Sequence, residues 1–158
     1  MILDGAVFLH AHPDDETLAT GVLLAHLARA GVRFAVVTAT RGEQGEVIPG
    51  VLDGVGPAGL VAHRERELAA ALSELGVESH AFLGSPPARA DALAPRRYTD
   101  SGMAWVTPTV AGPSEAAGPD SLTAADPVAA AADLVAATAR AVLADPAEAL
   151  VLDVGRFG

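Results

Sequence analysis

Residues 11–16 have the sequence Ala-His-Pro-Asp-Asp-Glu, and this stretch indicates both the fold and the function of the chain. The apolar run at residues 6–9 comes before it and predicts a short buried strand, whereas the apolar pattern of residues 17–30 predicts a helix after it. Pro13 presets the turn into that helix, and the three acids that follow occupy its first turn, where the helix dipole favours negative charge. In an α/β sheet, such a strand-to-helix turn lies at the carboxyl ends of the strands, where ligands bind.

The residue types in this turn indicate a metal site. His12 and Asp15 are three residues apart, close enough to bind one ion, and an imidazole with a carboxylate suits Zn²⁺ or a similar divalent metal. Asp14 lies beside them, where a general base that activates a water would be placed. The alternative is an acidic helix cap next to a structural histidine. Capping requires one acid and no histidine, so we favour the metal site.

The rest of the chain alternates strands with helices, which predicts parallel pairing through βαβ units. Strands are predicted at residues 6–9, 34–38, 79–83 and 149–153, and helices at residues 17–30, 60–75 and 126–143. We therefore expect a single α/β domain over residues 1–158, with a Rossmann-like parallel sheet, helices on both faces and three layers. The first strand should lie inside the sheet, and residues 108–125, rich in Pro, Gly, Ala and Ser, should form a mobile loop.

Composition restricts the possible partners and the possible metal ligands. The 158 residues carry a net charge of −10, which argues against binding to nucleic acid or to an anionic membrane. There is no cysteine, so a metal site must use histidine and carboxylate. The first residues lack the basic segment of a signal peptide, and the alanine-rich stretch 128–143 contains Asp133 and Arg140. A cytoplasmic location is the default expectation.

The Ala-His-Pro-Asp-Asp-Glu motif after a first strand resembles the LmbE-like (PIG-L) family of N-acetylglucosaminyl deacetylases. The resemblance implies a zinc-dependent amide hydrolase with a small amino-sugar substrate. It also implies that His12 and Asp15 are metal ligands and that Asp14 is the catalytic base.

Three more residues match this family, and two of them, Glu46 and Asp100, match the branch that acts in mycothiol biosynthesis. Glu46 lies in a Gly-Glu-x-Gly-Glu-Val pattern, Asp100 begins an Asp-Ser-Gly-Met segment, and Arg64 matches the substrate-binding arginine. The resemblance implies that they bind N-acetylglucosaminyl-inositol. Taken alone, Arg64 has an equally plausible role as the partner of a neighbouring glutamate, and Glu43 is interpreted as a solvated loop acid.

The resemblance also predicts a missing part. The family places a His-Pro-Asp-His motif after the fourth strand, where it supplies the third metal ligand, yet this sequence has no histidine after His80. We therefore expect the chain to correspond to the N-terminal half of such an enzyme, truncated at its C-terminus. His63 or His80 is the less favoured alternative for the third ligand. A catalytically incomplete fragment, or a non-enzymatic binding domain of the same fold, is the competing hypothesis. The sequence indicates no oligomeric state.

Overall fold

The computed structural model describes residues 5–52, 54–141 and 150–153. In these residues, four parallel strands form one sheet in the spatial order β3-β2-β1-β6. These strands are β1 (Ala6–His10), β2 (Phe34–Thr38), β3 (His80–Phe82) and β6 (Leu150–Asp153). Between β3 and β6 in sequence, β4 (Ala104–Thr107) and β5 (Val110–Gly112) form a separate antiparallel pair. The helices are α1 (Asp15–Leu18), α2 (Gly21–Arg29), α3 (Pro57–Glu74) and α4 (Pro127–Ala141).

Successive strand residues point to opposite sides of the sheet, and helices cover both of these faces. On one face, Phe8 and Val36 pack in a buried cluster with Leu24 of α2 and Leu68 of α3. On the other face, a second buried cluster includes Ala137 of α4. The predicted Rossmann-like parallel sheet with helices on both faces is confirmed. The first strand lies inside the sheet, paired with β2 on one side and β6 on the other.

The helix predicted over residues 17–30 is interrupted. It is divided into α1 and α2, and Thr20 lies in the break. The Thr20 hydroxyl donates to the Glu16 backbone carbonyl at 3.1 Å, an i−4 side-chain bond that bends helices. This segment packs on the sheet through one side only. Leu24 is buried, but Leu18 is 81% and Val22 is 90% exposed.

The loop predicted over residues 108–125 contains regular structure. Its first part supplies β5, which pairs with β4, and its end forms a short 3₁₀ helix over Leu122–Ala124. The β-branched residues Val106, Thr107 and Val110 favour a hairpin here. Elsewhere the differences concern boundaries: α3 starts at Pro57, three residues before its predicted start, and residues 142–149 lie outside the described part. None of the described helices is both long and apolar enough to cross a membrane.

Candidate active site

The loops at the carboxyl ends of β1 and β2, the first half of α3 and residues 100–103 line an open cavity of about 1100 Å³. Five of the six predicted site residues line it: His12, Asp14, Glu46, Arg64 and Asp100. They come from four separate segments of the chain, and the parallel topology places those segments at one edge of the sheet.

Asp15, the sixth predicted residue, lies against His12. The His12 backbone N–H donates to Asp15 Oδ2 at 2.9 Å, and His12 Nδ1 lies 3.8 Å from the same oxygen. This contact fixes the turn between β1 and α1, so the two predicted metal donors are held next to each other.

The other ring nitrogen of His12 faces Asp100, with 3.3 Å between His12 Nε2 and Asp100 Oδ1. The hydrogen bond to Asp100 raises the pKa of His12; burial opposes this effect, and the charges of Asp100, Asp15 and Asp14 add to it. Burial pushes the pKa of Asp100 up, but hydrogen bonds from His12 and from the amides of Gly102 and Gln44 outweigh burial and lower it. Asp100 is therefore an ionised carboxylate at neutral pH.

Asp14 projects into the same cavity and is paired with Arg64. The Arg64 Nη2 atom donates to Asp14 Oδ2 at 2.7 Å and also to the Pro13 backbone carbonyl. Burial raises the pKa of Asp14; the charge of Arg64 lowers it, and the charge of Asp15 raises it. The net shift is upward, in the direction that a carboxylate needs to act as a proton acceptor near neutral pH.

Glu46 and Arg64 occupy different positions in the cavity wall. Glu46 is exposed, on the loop after β2, whereas the Arg64 side chain is 17% exposed on α3. Two glycines leave room for the arginine: a Cβ added at Gly42 or Gly45 would lie within about 2.4 Å of Arg64 Nη1. The glycines of the Gly-Glu-x-Gly-Glu pattern thus allow the guanidinium to approach the loop backbone.

The donor chemistry of His12 and Asp15 suits a divalent cation, but the described residues supply too few donors for a three-ligand site. Within residues 5–52, 54–141 and 150–153, no group of three or more His, Asp or Glu side chains is arranged to hold a metal. His63 instead pairs with Glu67, at 3.1 Å, and His80 contacts the Thr38 hydroxyl at 3.0 Å. Burial lowers the pKa of His80 to about 4. Neither alternative histidine completes the site in the described part of the chain.

The interpretation of Glu43 as a solvated acid was wrong. Its side chain is 15% exposed and accepts hydrogen bonds from the backbone N–H groups of Asp100, at 2.9 Å, and Arg41, at 3.2 Å. Arg97 adds an ion pair at 2.8 Å. Glu43 therefore joins the loop after β2 to the loop that carries Asp100. The bond from Arg41 is local, but 57 residues separate Glu43 from Asp100, so no local pattern reveals their contact.

These observations define a class: a Rossmann-like α/β protein with a crevice at the carboxyl edge of the sheet, lined in the described residues by two imidazoles, several carboxylates and the Arg64 guanidinium. The family model described as PIG-L, GlcNAc-PI de-N-acetylase, matches residues 7–145, and the chain belongs to this family.

Curated relatives carry more specific names. Over 121 residues the chain is 46% identical to the 1D-myo-inositol 2-acetamido-2-deoxy-alpha-D-glucopyranoside deacetylase of Kineococcus radiotolerans. The aligned region covers 77% of this chain and 32% of the relative. The same-named protein of Kribbella flavida is 41% identical over 132 residues, covering 82% of this chain and 41% of that protein. The chain thus spans about a third of the length of the first of these relatives.

Among solved structures, the chain is similar to the N,N'-diacetylchitobiose deacetylase from Pyrococcus horikoshii. The TM-score is 0.46 at 24% sequence identity, over 54% of this chain and 30% of that one.

Proposed function

We propose that this chain carries the substrate crevice and the catalytic base of a metal-dependent deacetylase that removes the acetyl group from an N-acetylglucosaminyl compound. The observation that carries the proposal is the convergence of His12, Asp14, Arg64 and Asp100 on one cavity. N-acetylglucosaminyl-inositol is the proposed substrate, because two relatives are named as deacetylases of that compound.

Asp14 is proposed to act as the general base. Its carboxylate accepts a proton from a water that attacks the acetamide carbonyl carbon. The carbon–nitrogen bond then breaks, the amine nitrogen takes up a proton, and acetate and a free amino sugar leave. Arg64 already contacts Asp14 Oδ2 at 2.7 Å, so it orients this carboxylate and holds it ionised until a proton arrives.

Arg64, Asp100 and Glu46 are proposed to bind the sugar and inositol hydroxyls. Carboxylates accept hydrogen bonds from hydroxyl groups, and a guanidinium donates to them. Asp100 is also bonded to His12, so a hydroxyl bound there would lie close to the proposed metal ligands.

His12 and Asp15 are proposed as two ligands of Zn²⁺ or another divalent metal. Such an ion, when bound, polarises a carbonyl group and lowers the pKa of a water. Catalytic zinc sites usually have three protein ligands, so we propose that a further donor comes from outside the described residues.

The competing function is saccharide binding without turnover. The shortage of metal donors in the described residues favours it, since two side chains hold a metal weakly. Both functions predict that the crevice binds the saccharide, and only the first predicts release of amine.

The test combines calorimetric binding of N-acetylglucosaminyl-inositol with an assay for released amine, both with zinc supplied. Arg64→Ala should weaken binding at least roughly tenfold, because it removes a charged hydrogen-bond donor. Arg66→Ala is the matched control: Arg66 is exposed on the same helix and bonds to the Ala62 carbonyl. Asp14→Asn should preserve saccharide binding and remove most amine release. Binding without amine release by the unmodified chain would favour the competing function, and absence of binding would contradict both.

A further inference from the structure

A buried carboxylate lies beneath the site. Glu16 is 1% exposed, and both of its oxygens accept hydrogen bonds. Oε2 accepts from the Asp14 backbone N–H at 2.9 Å, and Oε1 accepts from the Thr17 hydroxyl at 2.7 Å. A carboxylate is costly to bury and needs such partners. The proposed function assigns no role to this side chain.

The residue that Glu16 contacts has an unusual backbone. Asp14 has φ +116° and ψ −30°, a conformation that residues with a Cβ seldom adopt. Such a conformation persists only where the surrounding structure enforces it, and it is concentrated at functional sites. Asp14 is held at three groups here: its N–H bonds to Glu16, its carboxylate bonds to Arg64 at 2.7 Å, and its carbonyl accepts from the N–H groups at the start of α1.

Glu16 is itself anchored to the central sheet. Its backbone carbonyl accepts from the Thr20 hydroxyl at 3.1 Å, and Thr20 Oγ1 lies 3.1 Å from His10 Nε2. His10 is the last residue of β1 and is fully buried, while Thr20 is 7% exposed. The network therefore runs from the end of β1, through the break between α1 and α2, to the backbone of Asp14.

We propose that Glu16 is a positioning residue, which holds the Asp14 backbone at positive φ and thereby directs the Asp14 carboxylate into the cavity. The significance of this role rests on the proposed function of Asp14 as the base. Acids in a first helical turn are usually explained by the helix dipole, but here the side chain is buried and bonded to one backbone amide.

The test is nuclear magnetic resonance on the isotopically labelled full chain, read at Asp14 itself. The three-bond couplings of its amide proton to the α proton and to Cβ together report φ, and its amide exchange rate reports the hydrogen bond to Glu16. In Glu16→Ala we expect the pair of couplings to change to values that together indicate a negative φ, and amide exchange to accelerate roughly tenfold or more. Glu16→Gln, which keeps an acceptor oxygen at the same reach, should preserve both the couplings and the exchange rate. Thr17→Val removes the other hydrogen bond of Glu16 and serves as the matched control.

A shorter carboxylate covers the case in which the alanine variant does not fold. Glu16→Asp keeps the charge but withdraws the oxygens by one methylene, so it should behave like Glu16→Ala at Asp14, whereas Glu16→Gln should not. Unchanged Asp14 couplings and an unchanged exchange rate in folded Glu16→Ala or Glu16→Asp would overturn the proposal. These measurements need no turnover, so a failure to release amine would contradict the proposed function without changing this result.

Discussion

Replacing Glu43 by alanine should destabilise the protein and loosen the loop that carries Asp100. Glu43 accepts hydrogen bonds from two backbone N–H groups, those of Asp100 and Arg41, and from the Arg97 guanidinium. Each amide bond to a carboxylate contributes about 1–2 kcal/mol in a partly buried setting. The Arg97 side chain is 50% exposed, so its ion pair adds about 0–1 kcal/mol. The expected loss in unfolding free energy is therefore about 2–5 kcal/mol.

Chemical denaturation measures this loss, and three variants divide it into parts. Glu43→Gln keeps one acceptor oxygen and should lose less than Glu43→Ala. Arg97→Ala removes only the exposed ion pair and should cost less than about 1 kcal/mol. Glu78→Ala alters an exposed glutamate and should change stability by less than about 0.5 kcal/mol. A Glu43→Ala variant as stable as Glu78→Ala would refute the inference that Glu43 joins the two loops.

The pH dependence gives a second test of the same contacts. Burial pushes the pKa of Glu43 up, but hydrogen bonds from the Asp100 amide and from Arg97 outweigh it, so the pKa lies below its usual value of 4.5. A carboxylate whose pKa is lowered by folding stabilises the native state above its unfolded pKa. This contribution is lost as the pH falls through the lower, folded pKa. The stability difference between the unmodified chain and Glu43→Gln should therefore be constant near neutral pH and shrink in acid below pH 4.5.

Three further predictions concern the metal, the core and a half-buried histidine. The chain should bind zinc weakly and lose it on equilibrium dialysis, and His12→Ala should abolish what remains; tightly held stoichiometric zinc would show that a third donor is present. Asp133→Ala should cost about 3–5 kcal/mol in chemical denaturation, because it leaves the buried Tyr98 hydroxyl and the Arg89 guanidinium without this acceptor; a loss below about 1 kcal/mol would contradict this. The pKa of His80 falls from 6.5 to about 4 on folding, so this side chain takes up its proton more readily in the unfolded chain. Stability should therefore decrease as the pH falls from 6.5 to about 4, and the His80 imidazole resonances should titrate near the lower value.

Much of the sheet was predictable because its signals are local. Apolar runs such as residues 34–38 define buried strands, and their alternation with helices requires parallel pairing. The break at Thr20 was not predictable from apolar spacing, since it depends on one hydroxyl bonding back to Glu16. The hairpin of β4 and β5 was missed because its flanking Pro and Gly residues indicate a loop, and its strands cover only four and three residues.

The position of the site was predictable from the sequence, but two residues that support its geometry were missed. The strand-to-helix turn places His12 at the crevice by topology alone, whereas Arg64 and Asp100 were identified through the resemblance to a family. The roles of Glu43 and Glu16 were not predicted from the sequence, for two different reasons. The decisive contact of Glu43 spans 57 residues, and an acid in a first helical turn has a sufficient explanation in the helix dipole.

The two missed glutamates use the same device. Each accepts the backbone N–H of a carboxylate residue that lines the cavity: Glu16 accepts from Asp14 and Glu43 from Asp100, both at 2.9 Å. An anchor through the backbone amide adds no further partner to either cavity carboxylate, whereas a side-chain anchor would. This arrangement also brings four carboxylates close together, those of the two glutamates and of the two aspartates that they anchor. Their negative charge is partly offset by Arg64, which pairs with Asp14, and by the His12 imidazole, which lies beside Asp100. Because the anchors need an acceptor oxygen at the right reach, the length of Glu16 and Glu43 should matter more for the geometry of the site than their charge.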